Sequence, residues 1–222
     1  MESDFAKWLD LAFADFDGAI LEFYHRLAEW GGAFFTPVMR AVSLMGDKGL
    51  LLLLLALVLC LFSKTRKSGV CMFGAICCGA LMTNVILKET ICRIRPYEAD
   101  ELFRSFWSFV GARAESEFSF PSGHTTAAAA AATGLWLSRG KKYLWVSIPF
   151  VALMAASRNY FAVHYPTDVI AGAVVGTLGG VVAYFITLGV YRVLKKHEHM
   201  KFCRFVLEFD VIGILKRKNK DA

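Results

Sequence analysis

Residues 49–63 read GLLLLLLALVLCLFS. The stretch is almost pure leucine and carries no charge, so it reads as a helix that crosses a membrane. Four further apolar segments follow it: Gly69–Lys88, His124–Ser138, Tyr143–Ser157 and Thr167–Leu194. A crossing helix needs about 20 mostly apolar residues, so the third and fourth segments extend into their flanking loops or sit where the bilayer thins. The third contains TTAAAAAATGLWL (125–137), and the last carries Gly172, Gly176, Gly179 and Gly180. Small residues of this kind let neighbouring helices approach closely. Composition agrees: 56% of the 222 residues are hydrophobic, and mean hydropathy is +0.48. The predicted fold class is all-α, a polytopic membrane helix bundle with about five transmembrane helices.

The chain before this bundle is different. Phe5, Trp8, Leu9, Leu11, Ala12 and Phe13 alternate with Asp4, Lys7, Asp10 and Asp15. Glu22, His25, Arg26, Glu29 and Arg40 interrupt the stretch from Ala19 to Met45. A charge at the bilayer centre costs on the order of 3 kcal/mol by insertion scales. Residues 1–46 are therefore expected to be an interfacial amphipathic region, residues 47–195 the transmembrane bundle, and residues 196–222 a basic tail. A sixth crossing within 17–46 is the alternative. The N-terminus opens with Glu2, Asp4 and Lys7 rather than a basic stretch before an apolar core, so no cleaved signal peptide is expected.

The net charge of +6 is clustered. Lys64, Arg66 and Lys67 follow the first segment, Arg139, Lys141 and Lys142 the third, and Lys195, Lys196 and Lys216–Lys220 the fifth. Five crossings place these three sites on one side, which the positive-inside rule makes cytoplasmic. Nucleic acid is not an expected partner. Of the six cysteines, Cys60, Cys71, Cys77 and Cys78 lie in apolar runs, where cysteine acts as a small hydrophobe, and neither a zinc site nor a disulfide is expected.

The opposite side gathers chemistry. Lys88 ends the second segment with Arg95 and Pro96 just after it, Pro121-Ser122-Gly123-His124 opens the third, and Arg158 and His164 lie between the fourth and the fifth, which opens with Thr167 and Asp168. Lys88, Arg95 and Arg158 are suited to neutralising a phosphate, arginine through a planar donor fork. Ser122 and Gly123 precede a helix whose free N–H groups favour an anion. Two histidines are enough to divide nucleophilic attack from protonation of the leaving oxygen. Asp168, four residues after His164, shares a face with it if that stretch is helical, and so can orient the ring.

Lys88-x6-Arg95-Pro96, Pro121-Ser122-Gly123-His124 and Ser157-Arg158-x5-His164-x3-Asp168 together resemble the three-part signature of the type-2 phosphatidic acid phosphatase superfamily. The resemblance spans roughly residues 40–195 and has no departure in any of the three parts. It implies that His164 is a nucleophile forming a phosphohistidine, that Asp168 orients it, and that His124 is the general acid. It also implies that Lys88, Arg95, Ser122, Gly123 and Arg158 bind phosphate, with no metal or other cofactor. The expected substrate is a membrane lipid phosphate or diphosphate. Undecaprenyl diphosphate is the first choice, with phosphatidic acid or phosphatidylglycerol phosphate as alternatives. The site is expected to face outward from the cell membrane, with the C-terminus in the cytoplasm. A vanadate-dependent oxidation is a competing reading, disfavoured by apolar helices that imply a membrane-resident substrate. A non-catalytic lipid-binding or transport protein would be expected to have lost a motif residue, and none is missing.

The bland readings are solvation for His197-Glu198-His199 and an amphipathic segment along the inner leaflet for Phe202–Leu215. Phe103, Phe106, Trp107 and Phe109 in the outer loop read as interfacial anchors or a substrate-facing lid.

Overall fold

The computed structural model describes residues 2–211 and Gly213, so the terminal lysines at 216–220 and the end of the Phe202–Leu215 segment lie outside the described residues. The described residues form helices and connecting loops, without strands. α1 (Asp4–Ala12) and α2 (Ala14–Gly46) precede α3 (Leu50–Cys60) and α4 (Arg66–Ala80). The chain continues from α4 through a wide π-helical turn, Leu81–Leu87, into the short α5 (Lys88–Ile91). α6 (Pro96–Ala99) and α7 (Glu101–Phe109) form the large loop. α8 (Gly123–Arg139), α9 (Leu144–Tyr160), α10 (Pro166–Lys196) and α11 (Lys201–Glu208) complete the order.

α8 is the axis of the bundle, packed by α4, α9 and α10. Its alanines 127–132 are all buried, because a stripe of methyl groups lets three neighbours close in at once. α10 supplies the matching notch. A Cβ on Gly172 would stand 2.6 Å from the Ser122 carbonyl oxygen, and one on Gly176 would stand 2.9 Å from Ala129 Cβ. The opposite face of α10 presents Ile170, Val174, Leu178, Val182, Ile186 and Val190, each about half exposed. A helix with small residues inside and large apolar residues outside is inverted relative to a water-soluble one, and lipid is the solvent that fits it.

Three stretches, Ala14–Cys60, Arg66–Ala99 and Pro166–Lys196, are long and apolar enough to cross a membrane by length and composition. α8 and α9, at 17 residues each, reach about 26 Å, close to a hydrocarbon thickness of about 30 Å. The break between α2 and α3 falls at Lys48 and Gly49, both at positive φ (48° and 67°). A left-handed pair turns the chain sharply, and glycine takes this conformation at no steric cost.

α2 is interrupted at Gly31 (φ −144°, ψ 28°) and contains Pro37. Its buried residues pack where α8 and α10 begin and α9 finishes. Leu21 meets Phe106, Ala162 and Tyr165, and Ala28 and Met39 join Tyr97, Val110 and Tyr160. Thr36 Oγ1 lies 2.6 Å from Tyr160 Oη. At the other end of the bundle, Arg139 Nη1 donates to the Lys64 carbonyl (2.8 Å). Arg66 Nη1 donates to the carbonyls of Val206 (2.8 Å) and Leu207 (2.9 Å) in the tail helix. The two basic turns and the start of the tail therefore share one end, as the charge pattern anticipates.

Close approach along α8 and α10 is directly testable. Gly176→Leu should destabilise the bundle by about 2 kcal/mol or more, because overpacking a filled interface forces backbone shifts. Gly189, with nothing within 4 Å of its would-be Cβ, should accept leucine with little change. Thermal unfolding in detergent compares the two; equal melting temperatures would remove the notch from the account.

Candidate active site

The three motifs meet at the end of the bundle where α5 finishes and α8 and α10 begin. Local structure explains each placement. Ser122 caps α8, its Oγ accepting from Thr125 N at 3.4 Å and its N–H donating to the Asp168 carbonyl at 3.0 Å. Pro166 opens α10, where its missing N–H costs nothing, and Asp168 closes that first turn by accepting from Tyr165 N at 2.9 Å. Gly123 faces Lys88: a Cβ there would sit 3.8 Å from Lys88 Nζ.

His164 and Asp168 are buried, at 1% and 0% exposure. His164 Nδ1 lies 3.6 Å from Asp168 Oδ2 and 3.4 Å from Ser119 Oγ. Ser119 Oγ itself donates to Asp168 Oδ2 at 2.5 Å. Oxygen atoms on the Nδ1 side favour a proton there, which leaves the Nε2 lone pair on the site side. Arg95 Nη1 donates toward that Nε2 at 3.3 Å. Burial holds the His164 pKa well below its ordinary value, and the positive charges of Arg95, Arg158 and Lys88 add to the effect. Both effects favour the neutral ring, the form in which a histidine can act as a nucleophile.

Arg95 is also a strut. Its Nε donates to the Glu117 carbonyl and its Nη1 to the Val163 carbonyl, both at 2.7 Å. It thereby ties the loop before α8 to the residue preceding His164. Arg158 donates from Nη1 to Ser43 Oγ at 2.5 Å, and its buried Nε has no hydrogen-bond partner among the described residues. His124, half-buried at the start of α8, lines a cavity together with Arg158. The eight residues expected from the motifs are thus gathered at one place.

Three features were not legible as part of the site. Arg93, two residues before Arg95, is completely buried. It donates to Asp168 Oδ1 (2.6 Å), Asp17 Oδ2 (3.0 Å), Asp10 Oδ1 (2.8 Å) and Thr167 Oγ1 (2.7 Å). Its guanidinium also stacks 3.9 Å from the centre of the Tyr165 ring. Ser119, from the same loop, links His164 and Asp168. Finally, two acids of that loop occupy the cations: Glu117 pairs with Lys88, and Glu115 with Arg158. The hydrogen bond from Lys88 holds the Glu117 carboxyl below its usual range, so this pairing persists at neutral pH.

A phosphate bound at Lys88 and Arg158 would have to compete with Glu115 and Glu117. Glu117→Gln should therefore tighten inhibition by orthovanadate about two- to fivefold, the scale of a partly exposed ion pair. An unchanged or weaker inhibition constant would show that Glu117 offers phosphate no competition.

Comparison with known proteins places this geometry. The model of the PAP2 superfamily matches residues 68–192. A lipid A 4'-phosphatase of Bacteroides thetaiotaomicron is 34% identical over 47% of this chain and 47% of its own length, so the chain spans about half of that relative. Phosphatidylglycerophosphatase B of Bacillus subtilis is 29% identical over 73% of this chain and 78% of its own. The crystal structure of a transmembrane PAP2-type phosphatidylglycerolphosphate phosphatase from Bacillus subtilis superposes with a TM-score of 0.60 at 26% identity. That match covers 84% of this chain and 92% of the other. With a family match across more than half its length and all three motifs brought together in space, this chain belongs to the PAP2 superfamily.

Proposed function

We propose that this protein is a membrane lipid phosphatase acting through a phosphohistidine at His164. One observation carries the reading: a buried His164, backed by Asp168 and Ser119, lies against Arg95, and at the same end of the bundle a second histidine, His124, shares a cavity with Arg158. Lys88, Arg95 and Arg158 would hold the phosphate oxygens, joined by the Ser122 hydroxyl and the free N–H groups at the start of α8. The His164 Nε2–phosphorus bond forms as the bond from phosphorus to the leaving oxygen breaks. The electron pair goes to that oxygen, and His124, which takes up a proton once the phosphate's negative charge offsets the neighbouring cations, donates that proton to it. Asp168 stabilises the ring as it becomes positively charged. Water then attacks the phosphohistidine, giving up a proton to His124 and releasing phosphate and the free His164 ring. The cations supply the electrostatics, so turnover is expected to survive a chelator.

The substrate is a lipid phosphate or diphosphate, with undecaprenyl diphosphate the leading candidate. A Sulfolobus acidocaldarius undecaprenyl-diphosphatase is 28% identical over 54% of this chain, which supports that choice. Phosphatidylglycerol phosphate and phosphatidic acid follow. The site faces outward and the tail is cytoplasmic, a reading supported by the basic residues at the opposite end. Residues 1–46 lie in the interface over the site.

The histidines should separate by leaving group. General acid catalysis contributes about 10²–10⁴-fold, and a lipid alkoxide needs it more than a nitrophenolate does. His124→Ala should lose more activity on phosphatidic acid than on p-nitrophenyl phosphate, and His164→Ala should be inactive on both. Equal losses for His124→Ala would make it a phosphate-binding or structural residue instead.

A further inference from the structure

The cavity beside His124, about 340 Å³, has walls that the motifs do not supply. The end of α2 contributes Arg40 and Ser43, the turn after it Asp47, and the loop before α8 Arg113 and Glu115. His124 and Arg158 line it, whereas His164 does not. In-line displacement puts the leaving group opposite the attacking atom. The group that His124 protonates must therefore extend into this cavity, which identifies it as the space for the departing part of the substrate.

Its charge indicates what that part carries. Glu115 is already paired with Arg158, so the balance rests on Arg40 and Arg113 against Asp47. Arg40 makes one hydrogen bond, from Nη2 to the Gly111 carbonyl at 3.3 Å, and Arg113 makes no side-chain hydrogen bond or ion pair among those the described residues form. Two arginines, one from α2 and one from the loop, thus line one cavity with guanidinium donors to spare. A neutral diacylglycerol leaving group would gain nothing from them. A leaving group that carries its own phosphate would be neutralised by a planar donor fork from either side.

We propose that this cavity is a leaving-group subsite in which Arg40 and Arg113 bind a second phosphate. The protein then selects lipids whose departing fragment is anionic. The inference rests on the phosphatase reading above and narrows it. Two sources share the chemistry: the inner phosphate of a lipid diphosphate, bonded directly to the one transferred, and the phosphodiester of phosphatidylglycerol phosphate, one glycerol away. For the diphosphate the subsite also eases departure, because a phosphomonoester stabilised by arginine needs little protonation by His124.

The test measures kcat and KM of the full-length protein in detergent micelles on three substrates: farnesyl diphosphate, phosphatidylglycerol phosphate and phosphatidic acid. Arg40→Gln, Arg113→Gln and the double variant are compared with wild type. The double variant should lose about tenfold or more in kcat/KM on at least one substrate with an anionic leaving group. The loss on phosphatidic acid should stay within about threefold, and the selective loss should shrink as salt rises. Arg40→Lys and Arg113→Lys should restore part of it by restoring charge. Loss confined to farnesyl diphosphate assigns the subsite to a directly bonded phosphate, and loss confined to phosphatidylglycerol phosphate assigns it to the phosphodiester. Uniform loss on all three substrates, or no loss on any, overturns the subsite while leaving the phosphatase reading intact. A wild-type protein that turns over none of the three overturns both.

Discussion

One buried guanidinium organises the end of the bundle where the three motifs meet. Arg93 meets the carboxylate of Asp168 with one arm and those of Asp17 and Asp10 with the others. Asp168 is itself the carboxylate behind His164. The helices before the bundle are thereby fastened to the residue that backs the buried His164. Asp17 reinforces the joint by accepting from the Thr167 N–H and hydroxyl at 2.9 and 2.7 Å. Removing one partner from such a buried set leaves a charge uncompensated, at a cost of about 3–5 kcal/mol. Fold and site depend on the same contact, because the interaction that seats α2 over the bundle also fixes the hydrogen-bond geometry of Asp168.

The rest of the site works by opposing charge in a small, poorly solvated volume. Three cations at membrane-helix ends would repel one another if left uncompensated. Glu115 and Glu117 neutralise two of them, and the third, Arg95, spends most of its donors on backbone carbonyls. On the proposed reading, a phosphate would enter a site whose charges are already held in place and exchange one set of anions for another. Such preorganised electrostatics lower a barrier without reorganisation during the reaction.

The sequence makes legible what repeats or is compact. The leucine run gives α3, the alanine and glycine stripes give the α8–α10 interface, and three short motifs give eight site residues that do converge. What it leaves hidden depends on long-range pairing. Arg93 reads as one of several loop arginines, because Asp10 and Asp17 lie some eighty residues earlier and no periodicity links them. Glu115 and Glu117 read as part of an acidic loop; only the fold places them against Arg158 and Lys88. The kink at Gly31 and the wide turn at Leu81–Leu87 change no hydropathy pattern, so spacing alone does not reveal them. Arg40 sits in a segment that reads as an interfacial helix, yet it lines the cavity beside His124.

The central claim is a covalent bond between phosphorus and His164. The most direct measurement quenches steady-state turnover of a phosphate-labelled lipid in alkali, where a phosphohistidine survives, and maps the label by peptide mass spectrometry. The account predicts label on the peptide containing His164, lost on acid treatment. Label on another residue, or turnover of the wild-type protein with no labelled peptide in an otherwise competent quench, would contradict it.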